Sequence, residues 1–113
     1  MVEGPRAGGH LGFKAEQIDD PAYALELLLA DVLAEIRPFE AKAQRPIPGI
    51  AGGGIYTGAD IYKILQRGAA GVQMATRFVT THECDASAGF KEAYLRATPE
   101  DLVIIASPVG MPG

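Results

Sequence analysis

Ile47-Pro48-Gly49-Ile50-Ala51-Gly52-Gly53-Gly54-Ile55-Tyr56-Thr57-Gly58 decides the fold. Ile47 to Ala51 is an apolar run too brief for a helix, and it stops against three glycines, so it reads as a buried strand. Thr57 or Gly58 then opens a helix with Ile61, Ile64 and Leu65 on one face, and Gly68 stands where a left-handed stop belongs. Gly71 to Ala75 follows at once as a second strand. Strand, glycine-rich loop, helix, strand is the grammar of βα units with parallel strands, in which ligands meet the loops at the carboxyl ends of the strands.

Upstream, Asp19-Asp20-Pro21 places a capping acid before a proline. Leu25, Leu28, Leu29, Val32, Leu33 and Ile36 recur at three- and four-residue steps, predicting a one-sided helix that stops near Pro38. Downstream, Asp85 or Ser87 begins another helix through Phe90, Ala93, Tyr94 and Ala97, and Leu102 to Ala106 forms a last extended run. No internal repeat or low-complexity tract interrupts this order.

Ten Lys and Arg against fourteen Asp and Glu in 113 residues leave a net charge of −4, with the basic residues scattered singly from Arg6 to Arg96. That argues against a nucleic-acid or anionic-membrane surface, which needs clustered positive charge, and leaves a small ligand as the expectation. Cys84 is the only cysteine, which excludes a disulfide scaffold and suits a reducing compartment. No apolar run approaches the ~18 residues of a membrane span, and the first residues lack a signal-peptide core, so the expected location is cytoplasmic.

Three loops carry the candidate chemistry. Ala7-Gly8-Gly9-His10-Leu11-Gly12 combines close backbone access with a group that titrates near neutrality, although a plain turn with a solvent-facing histidine has the same composition. Gly52-Gly53-Gly54 before a helix start favours a phosphate oxygen, through unpaired amides and the helix dipole; a tight turn is the alternative. Gln73-Met74-Ala75-Thr76-Arg77-Phe78 offers an amide, a hydroxyl and backbone N–H groups at the end of the next strand. Two neighbouring strand ends aimed at one anion match the recurring phosphate site of a (β/α)₈ barrel better than an open sheet.

Other conspicuous residues carry less. His82 and Cys84 beside Glu83 and Asp85 lack a second cluster at ligand spacing, so the expectation is a polar loop and no metal. Tyr56, Tyr62 and Tyr94 read as packing or rim residues. Glu3, seven residues before His10, can accept a ring N–H.

Taken together, Val2 to Gly12, Ile50 to Ile55 and Gly71 to Phe78, with the closing Ser107 to Gly113, resemble the nitronate monooxygenase family, formerly the 2-nitropropane dioxygenases, in order and spacing. The resemblance implies an FMN-dependent (β/α)₈ TIM barrel that oxidises alkyl nitronates or nitroalkanes with O₂. It makes His10 the catalytic base, brings Gly8 and Gly9 up to the flavin, and puts Glu3 near the isoalloxazine ring. Gly53, Gly54, Gln73, Met74, Ala75 and Thr76 match the positions that hold the ribityl phosphate. Two departures stand out: Ala75 replaces a usual glycine, where a positive φ would cost about 1 kcal/mol or more, and Gly49 replaces a β-branched residue, weakening its strand.

A complete barrel takes about 250 residues. The expectation is therefore a single fragment, residues 1–113, running from the end of the sixth strand through the seventh and eighth βα units, with Met1 in place of an internal apolar residue. Exposed sheet edges would invite self-association, and activity would require the missing N-terminal half. The rival readings are a flavin-dependent enoyl-ACP reductase II and a catalytically silent fragment that binds a phosphate-bearing ligand or a complementary half-barrel.

Overall fold

The computed structural model describes residues 1–113, an α/β chain built on a three-stranded parallel sheet in the order β1-β2-β3. β1 is Val2–Glu3, β2 is Ile50–Gly52 and β3 is Gly71–Gln73. Sequential order in a parallel sheet requires each connection to cross over one face, and two helices do so. α1 (Leu25–Ala43) joins β1 to β2, and α2 (Gly58–Gln66) joins β2 to β3.

Both helices cover the same face. Val2, Ala51 and Val72 share one row across the sheet by register. Val2 and Ala51 lie in one apolar cluster with Leu25 and Leu29 of α1 and Ile64 of α2, and Val72 packs against it. Lys63 Nζ of α2 donates to Glu26 Oε1 of α1 at 2.5 Å, tying the two helices side by side. Alternation along the strands then sends Glu3, Gly52 and Gln73, the next row, to the opposite face at the carboxyl end of the sheet.

The predicted helix face holds for Leu25 and Leu29, which are buried, and for the half-buried Leu28, Leu33 and Ile36, while Val32 is exposed. The helix boundaries need correction at both ends. Pro21–Tyr23 is a separate 3₁₀ turn, with the Asp20 carboxylate accepting from the Ala22 N–H, and α1 itself starts at Leu25. Pro38 does not end it: the helix runs on to Ala43 and closes on Gln44 in the left-handed conformation. Proline costs one backbone hydrogen bond there, but the turn beyond it is anchored, because Glu40 Oε1 accepts from the Ile47 N–H at 2.7 Å.

α2 opens as read, with Thr57 as its cap: Asp60 N donates to Thr57 Oγ1, and Asp60 Oδ2 accepts from the Thr57 N–H. Gly68 has φ +98°, as its position predicts. Both strands are shorter than read. Pro48 and Gly49 precede β2, and a Cβ on Gly49 would stand 2.9 Å from Leu33 Cδ2, the movable end of a side chain. Met74 and Ala75 lie beyond β3.

α3 (Thr76–Val79) is a single turn that the sequence pattern did not announce, and α4 (Ala88–Arg96) is capped by Ser87, not Asp85. Leu102 to Ala106 adds no strand to the sheet; its only bridge is Ala106 with Pro112, in a return that also pairs Ile105 with Gly113. With no neighbouring strand in reach, Leu102 and Val103 stay 77% and 68% exposed.

Only 11 of 113 residues are buried, and the radius of gyration is 16.1 Å, against ~13 Å for a compact domain of this length. Much apolar surface is left uncovered, the sheet has two free edges, and no helix is long and apolar enough to cross a membrane.

Candidate active site

The loops after all three strands converge. Glu3, Gly8, Gly53, Gly54, Gln73, Met74, Ala75 and Thr76 line one cavity of about 290 Å³ at the carboxyl end of the sheet, together with Arg6, Ala7, Gly52, Ile55 and Tyr56. Glu3 and Gln73 reach it from the row that also contains Gly52, on the face away from the helices. Gly9 and His10 continue the first loop past Gly8 and are not among the lining residues; His10 is exposed. That loop is tied down behind the histidine, because Leu11 is buried and its N–H donates to the Pro112 carbonyl at 2.8 Å.

Gly53 at the floor is required twice over, Gly54 by its backbone conformation alone. Gly53 and Gly54 have φ +105° and +70°, a region that side chains rarely enter. A Cβ on Gly53 would also stand 2.9 Å from the Ala7 amide nitrogen and 3.1 Å from the Gly4 carbonyl oxygen. The left-handed pair makes the turn and lets the first loop lie directly against the second. Ala75 takes φ −128°, so the strain expected for an alanine at a glycine position is absent.

The backbone N–H groups of Gly53, Gly54, Ile55, Ala75 and Thr76 donate to no other group of the chain. Amides in such a state seek an outside acceptor, and a concave set of them suits an oxyanion. The next amides are already satisfied: Asp60 Oδ2 accepts from the N–H groups of Tyr56 and Thr57 and from the Thr57 hydroxyl. Those bonds, the Thr57 hydroxyl foremost, hold the Asp60 carboxyl below its ordinary pKa.

Arg6 was not foreseen as a site residue. Arg6 read as one of several scattered charges, yet its stem runs along Gly54, with Cβ and Cδ each 3.4 Å from where a Cβ on that glycine would lie. Tyr56 is the rim residue expected of it, with the Arg77 guanidinium carbon 4.8 Å from its ring centroid. The available signal for Arg6 was its place within the Val2 to Gly12 motif. The His82 to Asp85 segment lies elsewhere, as a loop held by Lys91 Nζ, which donates to the Thr81 and Cys84 carbonyls.

The nitronate monooxygenase family model matches residues 1–113. A nitronate monooxygenase of Pseudomonas aeruginosa is 36% identical over 93 residues, 82% of this chain and 24% of that protein. A Mycobacterium tuberculosis enzyme, (3aS,4S,5R,7aS)-5-hydroxy-7a-methyl-1-oxo-octahydro-1H-indene-4-carboxyl-CoA dehydrogenase, is 36% identical over 112 residues, 99% of this chain and 27% of that protein. Among solved structures, FabK from Thermotoga maritima superposes with a TM-score of 0.68 at 31% identity, covering 97% of this chain and 30% of that one. The chain thus spans about a quarter of the length of these curated relatives. Matched from end to end, with its strand-end loops converging on a single cavity, the chain belongs to the nitronate monooxygenase family.

Proposed function

We propose that this chain is the cofactor-anchoring arc of an FMN-dependent (β/α)₈ barrel that converts alkyl nitronates, with O₂, to carbonyl compounds and nitrite. The observation that carries the reading is the common cavity of the Gly53–Gly54 and Ala75–Thr76 loops, with its unpartnered amides. A phosphate monoester suits this lining: backbone donors, the Thr76 hydroxyl and the Arg6 cation are the donor set a phosphate takes. At about 290 Å³, the cavity is at the lower limit of the ~300–1,000 Å³ typical of small-molecule sites. It suits one end of a flavin, so we assign the remaining enclosure to further βα units that complete the barrel.

The chemistry that FMN supplies when bound is electron transfer from nitronate carbon toward O₂. The chain's own residues do the rest. Gly53, Gly54, Ala75 and Thr76 hold the phosphate, with Gln73 and Met74 along the ribityl chain, and Glu3 and Gly8 meet the ring. His10, on its anchored loop with Gly9, takes the proton α to the nitro group where the neutral nitroalkane is the substrate, and assists oxidation of the nitronate. The exposed, uncovered sheet edges are where those further units, or a second copy, pair. We place this activity in the cytoplasm, consistent with the single free thiol of Cys84.

The second reading, a flavin-dependent enoyl-ACP reductase II or a related thioester oxidoreductase, draws on the likeness to FabK and to the CoA-ester dehydrogenase. One pair of assays separates them. A barrel-completing form purified with its yellow cofactor should release nitrite and consume O₂ when given alkyl nitronate. Steady NADH oxidation with an enoyl thioester, and no nitrite, would replace the first reading with the second; a colourless protein that binds no flavin would remove both.

A further inference from the structure

We infer that Arg6 is the cation that neutralises the phosphate, and that it gives the cavity a fixed polarity, anionic end at Gly54 and uncharged end at the sheet. The inference rests on the flavin reading above and adds a binding residue to it. Arg6 is the one cationic side chain lining the 290 Å³ cavity, and Glu3 is the one anionic side chain there. Glu3 belongs to the sheet row with Gly52 and Gln73, whereas the Arg6 stem lies along Gly54, in the loop beyond β2. A dianion is therefore repelled from the sheet end and drawn to the loop end, where the unpartnered amides also are.

Arg6 is also free for this role. It forms the wall between this cavity and a neighbouring one of about 240 Å³, whose acidic residues are Glu26 and Asp60. Both acids are taken: Glu26 by Lys63, and Asp60 by the cap of α2. The chain's two ion pairs are Glu26 with Lys63 and Glu92 with Arg96, so the Arg6 guanidinium has no carboxylate partner. A planar fork without a carboxylate partner, on a side chain that lines the same cavity as the unpartnered amides, is a donor that a phosphate monoester takes in bidentate fashion.

FMN and riboflavin differ by that phosphate alone, which makes the pair a direct probe. Binding of each to the barrel-completing form, stripped of its cofactor, is followed by quenching of flavin fluorescence, for the wild type, Arg6→Met and Arg6→Lys. The wild type should prefer FMN, and Arg6→Met should weaken FMN by about 10-fold at low salt while leaving riboflavin unchanged. Arg6→Lys, keeping charge without the fork, should fall between, and added salt should weaken FMN more for the wild type than for Arg6→Met. If both flavins bind but Arg6→Met leaves their ratio as in the wild type, or weakens both equally, the assignment of Arg6 fails and the flavin reading stands. If the wild type binds neither, the flavin reading fails and takes this assignment with it.

Discussion

Gly53 and Ala7 belong to different loops, and their backbones are so close that a Cβ on the glycine would stand 2.9 Å from the alanine's amide nitrogen. One α-carbon thus holds the β1 loop against the β2 loop and shapes the cavity between them. Since the obstacle is backbone on both sides, and φ is +105°, neither partner can yield cheaply.

Gly53→Ala should accordingly lower stability by roughly 2–4 kcal/mol, the sum of a left-handed backbone penalty and a main-chain clash, read as a shift of the urea midpoint. Gly8→Ala is the control, because nothing lies within 4 Å of its Cβ position and its φ is not left-handed; it should shift stability by less than about 1 kcal/mol. Equal losses in the two variants would show that the close approach has no energetic role.

Leu29 of α1 is the most enclosed large side chain, at 0% exposure, in one cluster with Val2 and Ala51 of the sheet and Ile64 of α2. Leu29→Ala should cost about 2–5 kcal/mol, measured by denaturant unfolding. In a chain with so few buried residues, that is enough to abolish a cooperative transition. A cost under about 1 kcal/mol would mean that α1 does not dock on the sheet as described.

The ion pair between Glu26 and Lys63 should make stability acid-sensitive. Its hydrogen bond from Lys63 holds the Glu26 carboxyl below its ordinary pKa. A carboxyl depressed on folding contributes stability that is present above its unfolded pKa and lost as pH falls through the folded one. Because the pair is partly exposed, the contribution is small, about 0.5–1 kcal/mol after solvent screening. Lys63→Met should remove it at neutral pH and flatten the stability profile below about pH 4.5; an unchanged acid slope would show that the helices are held together without it.

His10→Asn tests the proposed base in a barrel-completing form. Turnover with nitroalkane should fall at least about 10²-fold while flavin content stays constant, and nitronate, already deprotonated, should be less affected. Near-normal nitroalkane turnover would take His10 out of the reaction.

Local chemistry was legible wherever a residue's own conformation was at stake. Thr57 as a cap, Gly68 as a left-handed stop and the glycines after β2 follow from hydrogen-bonding capacity and sterics within a few residues. Pro38 misled for the opposite reason: whether a helix survives an internal proline depends on what anchors the far side, here Glu40 holding Ile47 across the loop. The extended run of Leu102 to Ala106 pairs only with its own return, at Pro112 and Gly113, because no strand of the sheet lies beside it.

The sequence by itself determined the βα order, the buried faces of the helices and the loop motifs that mark the family, because periodicity and glycine placement are one-dimensional signals. Only the tertiary structure decided that Glu3, Arg6, Gly54 and Thr76, tens of residues apart, share one cavity wall. Parallel pairing in sequential order brought the three strand ends together, and no local rule encodes that lateral register.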